Sequence, residues 1–332
     1  MKRKYVAILI IVLVVGTGSF LWNRFINPDP ASAELKQMVT DSASSTFSVK
    51  KWEEADKYSK KAMKFKEKDE LMSSGNEFAV TGVKLKAPYG IACLSEGILL
   101  ADHGESCLYL IDYSGNLVRK IGELGNGPNQ FQKPTGCTYH NGYYYVIDSG
   151  NKRIVILDRQ FNYTKELKLP KSERESEKEF TDIAINDKGD IYISGSYLYD
   201  SGLYRYNLEK DKFENVQKYF YGSLKEFGGE VYAVDQFRIY VDFKKKEITG
   251  GAGPNALWKL DGRNIKKLSN LPAGLNAGSF ELLRDSLIIC SPFYSTVMAF
   301  NMKDGKYISN IYEVNKMDYK TYASIYGSDL YI

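Results

Sequence analysis

The chain has 332 residues, of which 43% are hydrophobic and 14% are aromatic, so it can bury one large core. Its 45 lysines and arginines against 41 aspartates and glutamates give a formal charge of +4. This weak excess excludes the strongly basic surface that nucleic-acid binding requires. We therefore expect no nucleic-acid partner.

The N-terminus predicts a membrane anchor. Residues 5–22 are 18 nearly unbroken apolar residues. As a helix they would be about 27 Å long, which is enough to cross the core of a bilayer. Three basic residues at positions 2–4 precede them, and the positive-inside rule then places residues 1–4 in the cytoplasm and everything after Trp22 outside. The sequence predicts a single-pass protein of the cell membrane.

A cleaved signal peptide ending near Ala33 is the alternative, and it would give a secreted protein. The apolar span is longer than the usual core of a signal peptide, and Arg24 separates it from Ala33. We therefore expect the signal anchor to be retained. In both cases the rest of the chain is exported, and its formal charge is only +1, because residues 1–33 contain four bases and one acid.

Residues 23–76 predict an extracytoplasmic linker and a short stalk helix. Residues 41–46 are small and polar, as is typical of a linker. Residues 50–71 are charged, but they carry apolar residues at helical spacing: Trp52, Ala55, Tyr58, Ala62 and Phe65. We expect this helix to pack on the rim of the domain that follows, and docking to a partner membrane protein is the alternative.

From residue 77 onward a pattern of short strands repeats. Runs rich in Tyr, Ile and Val end at a small polar residue, at Asp102, Asp148, Ser194, Asp235 and Ser291. These closing positions are 46, 46, 41 and 56 residues apart. Periods of about 40 to 50 residues made of short strands are typical of β-propellers, in which each repeat forms a four-stranded blade.

The first two repeats carry more specific motifs. The first runs from Pro88 through Asp102 and Asp112 to Gly122, and a connection containing Gly125-Asn-Gly-Pro-Asn-Gln-Phe131 follows it. The second contains Asp148-Ser-Gly-Asn-Lys-Arg-Ile-Val-Ile-Leu-Asp158. These repeats resemble the NHL repeat family. The resemblance implies an all-β, six-bladed propeller, which we place at residues 77–332.

The two ends of this domain are expected to meet in the sixth blade. Five complete units end near Val314, and residues 322–332 predict only two more strands. Two unpaired strands would leave exposed sheet edges. The strand-like segment 77–85, just upstream of the first blade, is the expected partner.

Four cysteines are present, at positions 93, 107, 137 and 290, and none forms a CxxC pair. Cys93, Cys137 and Cys290 lie in predicted strands, where a thiol behaves as a small apolar group. We expect free buried thiols. A disulfide between Cys93 and Cys137 is the alternative, which the sequence leaves open.

Unequal loops on one face give the best evidence for a binding site. The closing positions of the second and third strands are 10 residues apart in three repeats, but 13 apart after Ser194 and 26 apart after Asp235. The family resemblance implies that these loops surround the mouth of the central channel. The candidate ligand-binding residues are Tyr197, Tyr199, Asp200, Phe237, Arg238, Tyr240, Phe293 and Tyr294.

Catalytic motifs are sparse. The chain has two histidines, His103 and His140, which is too few for a three-histidine zinc site. Asp102, His103 and Asp148 are the alternative candidates for a calcium or other divalent metal site, with Glu105, Asn151 and Asp182 as further oxygen donors. However, Asp102 and Asp148 occupy equivalent repeat positions, where a carboxylate commonly caps a turn. We expect neither a resident cofactor nor a catalytic residue.

The function that follows from these observations is that of a membrane-tethered, extracytoplasmic NHL-like propeller. It is expected to be a non-catalytic binding module for a protein, a peptide or a glycan. The alternative is a metal-dependent propeller hydrolase or lyase with its site at the channel mouth.

Overall fold

The structure is a computed structural model that describes residues 80–171, 179–196, 201–218, 220, 222–235, 238–242, 247–252, 256–271, 277–291, 296–313, 324–326 and 329–331. The predicted anchor, linker and stalk helix lie outside these residues. The described residues form strands and turns. Within them, no helix is long and apolar enough for a membrane span.

Five antiparallel four-stranded sheets follow one another along the chain. The first contains β1 (Pro88–Leu94), β2 (Gly97–Asp102), β3 (Cys107–Ile111) and β4 (Leu117–Ile121). A short parallel pair, β5 (Glu123–Leu124) and β6 (Gln130–Phe131), lies in the connection to the next sheet. The second sheet contains β7 (Pro134–His140), β8 (Tyr143–Asp148), β9 (Arg153–Leu157) and β10 (Tyr163–Lys168).

The third sheet contains β11 (Glu179–Ile185), β12 (Ile191–Ser196), β13 (Gly202–Asn207) and β14 (Lys212–Lys218). The fourth is interrupted. Its strands are β15 (Gly222–Phe227), β16 (Glu230–Asp235), β19 (Ala256–Asp261) and β20 (Asn264–Asn270), and a separate hairpin of β17 (Arg238–Asp242) and β18 (Glu247–Ala252) lies between β16 and β19. The fifth sheet contains β21 (Ser279–Leu283), β22 (Ser286–Ser291), β23 (Thr296–Asn301) and β24 (Tyr307–Glu313).

A last antiparallel pair, β25 (Ser324–Tyr326) and β26 (Asp329–Tyr331), closes the ring. The first strands of the five sheets contact one another in order, from β1 through β7, β11 and β15 to β21. β25 contacts both β21 and β1. The predicted propeller is therefore confirmed; the described residues form five complete blades and a two-stranded sheet in the sixth position.

The core lies between the blades. Because successive residues of a strand point to opposite faces of its sheet, each blade contributes apolar side chains to two neighbouring interfaces. Large aromatic side chains at the centres of these interfaces are fully buried: Phe131 and Tyr144 between blades 1 and 2, Phe180 between 2 and 3, Phe220 between 3 and 4, and Phe280 between 4 and 5.

The first strands approach one another closely around the channel. A Cβ atom on Gly90 would lie 2.1 Å from the carbonyl oxygen of Thr135, and one on Gly136 would lie 2.8 Å from that of Thr181. Only glycine fits such contacts between backbones. The Thr135 hydroxyl donates a 2.6 Å hydrogen bond to the carbonyl oxygen of Phe180. The first strands therefore start at the same level, and equivalent strand ends share one face of the ring.

The described part of the upstream segment packs on blade 1. Thr81 forms an isolated bridge with Asn116, in the turn between β3 and β4. Val80, Val83 and Leu85 pack against the face of β3 that points away from blade 2. Among the described residues, β26 pairs with β25 alone. The sixth blade shared between the two ends of the chain therefore stays a prediction.

None of the four cysteines, all of which are described residues, forms a disulfide. Cys107, Cys137 and Cys290 are buried, and Cys93 is partly buried. Burial raises the pKa of Cys137 and of Cys290 to about 12, so both thiols are protonated at neutral pH. Buried protonated thiols are inert core groups.

Candidate functional site

The second strand of each blade ends at the same side of the ring, which we call the upper face. This face carries the closing residues Asp102, Asp148, Ser194, Asp235 and Ser291. The turns from second to third strand lie here, together with the start of each first strand. The predicted ligand loops and the alternative metal residues both belong to this face.

Asp102 holds the backbone of the upper face in blade 1. Its carboxylate accepts hydrogen bonds from the backbone N–H groups of Lys86 and Ala87, at 2.8 and 3.0 Å. It also accepts those of Gly104 and Glu105 in the following turn, at 2.9 and 3.0 Å. The capping role expected from the repeat pattern is therefore observed for this buried side chain.

Asp148 has the same position in blade 2 but different partners. It accepts the backbone N–H of Gln132 at 2.6 Å and the side chains of Asn151 and Arg153 at 2.7 and 2.9 Å. Burial raises the pKa of Asp148, while these three donors act in the opposite direction. Arg153 continues the network to Glu166, at 2.8 Å, so this carboxylate belongs to a structural ion pair.

The long insertion after Asp235 is a hairpin that leaves the blade intact. β16 pairs directly with β19, and β17 pairs only with β18 among the described strands. Asp235 closes the base of the insertion, because its carboxylate accepts the backbone N–H of Ala256 at 2.7 Å. Burial raises the pKa of Asp235 to about 6.

This raised pKa predicts a pH-dependent stability. The folded protein holds the Asp235 proton up to about pH 6, whereas an unfolded chain releases it near pH 4. The folded state thus binds more protons between these values, and its stability falls as pH rises through this range, by roughly 3 kcal/mol. We expect Asp235→Asn to flatten the dependence of unfolding free energy on pH between 4 and 7, as measured by urea denaturation.

Asp112→Asn is the matched control. The backbone and side chain of Asn116 lower the pKa of Asp112, so this carboxylate does not hold a proton above the pH at which an unfolded aspartate titrates. The control should therefore keep the pH slope of the parent protein between about pH 5 and 7. An unchanged slope in Asp235→Asn would contradict the assignment.

A polar cluster at the upper mouth joins blade 1 to blade 3. The ring of Tyr89 stacks on His103, with centroids 5.3 Å apart. The Tyr89 hydroxyl is 3.4 Å from Oε2 of Glu179, and Nδ1 of His103 is 3.5 Å from Oε1 of the same carboxylate. Burial lowers the pKa of the nearby Lys152, although the negative charge of Glu179 acts to raise it. This cluster offers donors and acceptors to a polar ligand group.

Sequence reasoning placed His103 at the mouth and missed Tyr89 and Glu179. These two side chains are 90 positions apart in the chain. No local pattern connects them, since they meet only because the ring brings the first strands of blades 1 and 3 together. The other histidine, His140, ends β7 at the opposite face.

Most of the predicted ligand residues lie outside the described residues. This holds for Tyr197, Tyr199, Asp200, Phe237, Phe293 and Tyr294. Arg238 and Tyr240 belong to β17, whose backbone alone is described. The strands that flank the three loops end at the upper face, as the repeat pattern predicted.

The alternative metal residues are Asp102, His103 and Asp148. The two carboxylates accept the backbone and side-chain hydrogen bonds given above, and His103 stacks on Tyr89. Within the described part of the chain, no group of three His, Cys, Asp or Glu side chains is arranged to hold a metal ion. Asp182, another suggested oxygen donor, lies deeper in the channel.

The fold is shared with known propellers. Residues 82–240 match the profile of a family described as a 6-bladed beta-propeller. The chain shows no significant similarity to any curated protein sequence.

Several solved structures are similar in shape. A streptogramin B lyase has a TM-score of 0.50 at 13% identity, with 75% of this chain and 76% of that chain covered. The virginiamycin B lyase from Staphylococcus aureus has a TM-score of 0.50 at 14% identity, over 74% and 76%. A luciferin-regenerating enzyme has a TM-score of 0.50 at 10% identity, over 74% and 81%. The repeats, the closed ring and these likenesses identify the chain as a β-propeller protein.

Proposed function

We propose that this chain is a membrane-tethered, extracytoplasmic propeller that acts as a non-catalytic binding module for a protein, a peptide or a glycan. The observation that carries the proposal is the β17–β18 hairpin, which is inserted at the upper face without disturbing the pairing of β16 with β19. Insertions of this kind add contact surface to a rigid scaffold, and binding residues concentrate on such loops.

The chemistry of the upper face supports binding more than catalysis. The carboxylates of Asp102, Asp148 and Asp235 are engaged with the backbone and with Arg153. Tyr89, His103 and Glu179 add an aromatic and polar wall beside the channel. The lyases of similar shape are only 13–14% identical, and such a likeness carries the fold alone.

The membrane tether rests on the sequence of residues 1–22. A basic cluster before an apolar span favours an inside N-terminus and an outside propeller. The ligand is then a component of the cell surface or of the surrounding medium. A nearly neutral exported part is consistent with a ligand recognised by aromatic and hydrogen-bonding groups.

The role of the hairpin in binding can be tested by replacing the hairpin with a short turn from blade 1 of the same protein. Residues 236–255 would be exchanged for the four residues that follow Asp102, His103 to Ser106, which restores the 10-residue spacing of blades 1 and 2. We expect binding to fall about thirtyfold or more, because loss of an interface anchor costs about 2 kcal/mol. Binding would be measured on ligands captured from the extracellular fraction by the full-length chain.

Two controls make this test specific. The melting temperature of the exchanged protein should stay close to that of the parent, since the blade keeps its four strands. Leu208→Ser changes a side chain that is 79% exposed in a turn of the opposite face, and it should leave binding unchanged. Equal binding by the parent and the exchanged protein would place the site elsewhere.

A further inference from the structure

The lower half of the channel contains a cavity that is not part of the upper face. It has a volume of about 300 Å³ and is lined by the first strands of all five complete blades. Six of its lining side chains are charged or aromatic: Glu96, Tyr139, Asp182, Lys225, Glu226 and Glu281. Ser95 and Glu96 belong to the turn between β1 and β2, so the cavity lies toward the face opposite the hairpin.

The charges of the cavity are unbalanced. Four carboxylates, Glu96, Asp182, Glu226 and Glu281, line it with one ammonium group, that of Lys225. When all five are ionised, the sum is therefore −3. Lys225 lies 2.8 Å from Glu281, with both side chains largely buried. Its charge acts on Glu281 and also on Asp182, but one ammonium group does not balance four carboxylates.

The pKa values of the cluster reflect its burial first and its charges second. Burial raises the pKa of Asp182 to about 6, against the influence of Lys225 and of the N–H groups of Leu224 and Ile183. Burial lowers the pKa of Lys225. The charges of Glu281 and Asp182 raise this pKa by more, so it lies above the ordinary value for lysine. The charged groups that face Asp182 are Lys225 from β15 and Glu281 from β21. A bound cation would relieve the cost of ionising Asp182.

An aromatic side chain provides a second, independent indication. Tyr139 lines the cavity and is 39% exposed, although it is a large side chain on an innermost strand. It packs on Tyr144, with ring centroids 5.1 Å apart. The hydroxyl of Tyr144 donates to Glu96, which connects the aromatic pair to the acidic rim. Carboxylates beside an accessible aromatic ring are the groups that recognise organic cations.

The cavity suits an organic cation better than a metal ion. Its carboxylates come from different blades, and no three donors among the described residues are grouped for a metal. Its volume is about ten times the volume that one molecule occupies in liquid water, so a ligand of several heavy atoms can enter. The lining offers many acceptors and few donors, and the ligand must therefore supply donors.

We propose that this lower cavity binds a small organic cation with a primary amine or guanidinium group, whose charge lies among Asp182, Glu226 and Glu96 and whose apolar part contacts Tyr139. The site is separate from the binding surface of the upper face. Three observations support this assignment: the cavity, its excess of carboxylates and the exposed ring of Tyr139. Failure of the proposed binding function would leave it intact.

Agmatine, which carries a guanidinium and an amine, is the probe. Titration calorimetry on the full-length chain in detergent micelles should show saturable binding that weakens with added salt. Glu226→Gln should weaken binding about tenfold, a loss of about 1.4 kcal/mol. Glutamine keeps the oxygen that accepts the Gly229 N–H at 2.7 Å, so the fold is retained. Tyr139→Ala should weaken binding to a similar extent.

Glu209→Gln is the matched control, because Glu209 is an exposed residue of the β13–β14 turn outside the cavity. It should bind agmatine as the parent does. A melting curve on each variant separates loss of the site from loss of the fold. The proposal is overturned by the absence of saturable binding at 10 mM agmatine, by unchanged affinity in Glu226→Gln, by equal binding of glucose, or by competition from calcium at equal concentration.

Discussion

Removal of residues 322–332 is expected to abolish the cooperative unfolding of the propeller. This deletion removes β25 and β26, and β25 is the strand that contacts both β1 and β21. Without it, the surfaces of blades 1 and 5 that contact this strand meet water, and the ring is open. We expect a loss of about 4 kcal/mol or more, measured by thermal and urea unfolding.

A deletion at the other end is the control for this prediction. Removing residues 1–40 takes away only segments outside the predicted propeller, and it should leave the melting transition unchanged. If the C-terminal deletion instead unfolds at the same temperature and as sharply as the parent, the ring does not depend on its sixth sheet.

Arg153→Ala is expected to be the most damaging single substitution in blade 2. The guanidinium donates to Asp148 at 2.9 Å, to Glu166 at 2.8 Å, and to the carbonyl oxygens of Gly127 and Gln130 at 3.0 and 2.8 Å. It therefore fixes the connection between blades 1 and 2. Alanine would leave the buried Asp148 without its charged partner, and breaking such a pair costs about 3–5 kcal/mol.

A surface arginine provides the comparison. Arg263 pairs with Glu214 but is 65% exposed, so Arg263→Ala should cost less than about 1 kcal/mol. Urea unfolding of both variants measures the difference. Similar small losses for the two would show that the Arg153 network does not hold the connection between the blades.

The propeller could be predicted from sequence because its repeats are local. Asp102, Asp148 and Asp235 recur at the ends of second strands. Each accepts a backbone N–H: Asp102 from the turn that follows it, Asp148 from the segment just before β7, and Asp235 from the start of β19. Strand pattern and turn chemistry thus agree within each repeat. The long spacing after Asp235 also predicted an insertion, although it did not reveal that the insertion is a hairpin.

The clusters inside the ring could not be predicted in the same way. Asp182, Lys225 and Glu281 belong to three different blades, and nothing in their local sequences relates them. The same holds for Tyr89 and Glu179 at the upper mouth. Such contacts depend on how adjacent first strands are staggered, which the period of the repeats does not determine.

The packing of the upstream segment was also not determined by its sequence pattern. That residues 77–85 help to complete the sixth blade stays a prediction; in the described part, Thr81 forms a bridge with Asn116 of blade 1. Val80, Val83 and Leu85 pack on the face of β3 that points toward the sixth position. An alternating pattern predicts that a segment is extended and half-buried, but it does not select the sheet on which it packs.

Photo-crosslinking on intact cells tests the proposed function most directly. A photoreactive residue would replace Arg238 at the start of the inserted hairpin in the full-length chain, and a second protein would carry it in place of the exposed Leu208. We expect a light-dependent adduct with a cell-surface or extracellular component at position 238 and none at 208. Adducts formed only at 208, or only with cytoplasmic proteins, would contradict an exported binding module that uses its upper face.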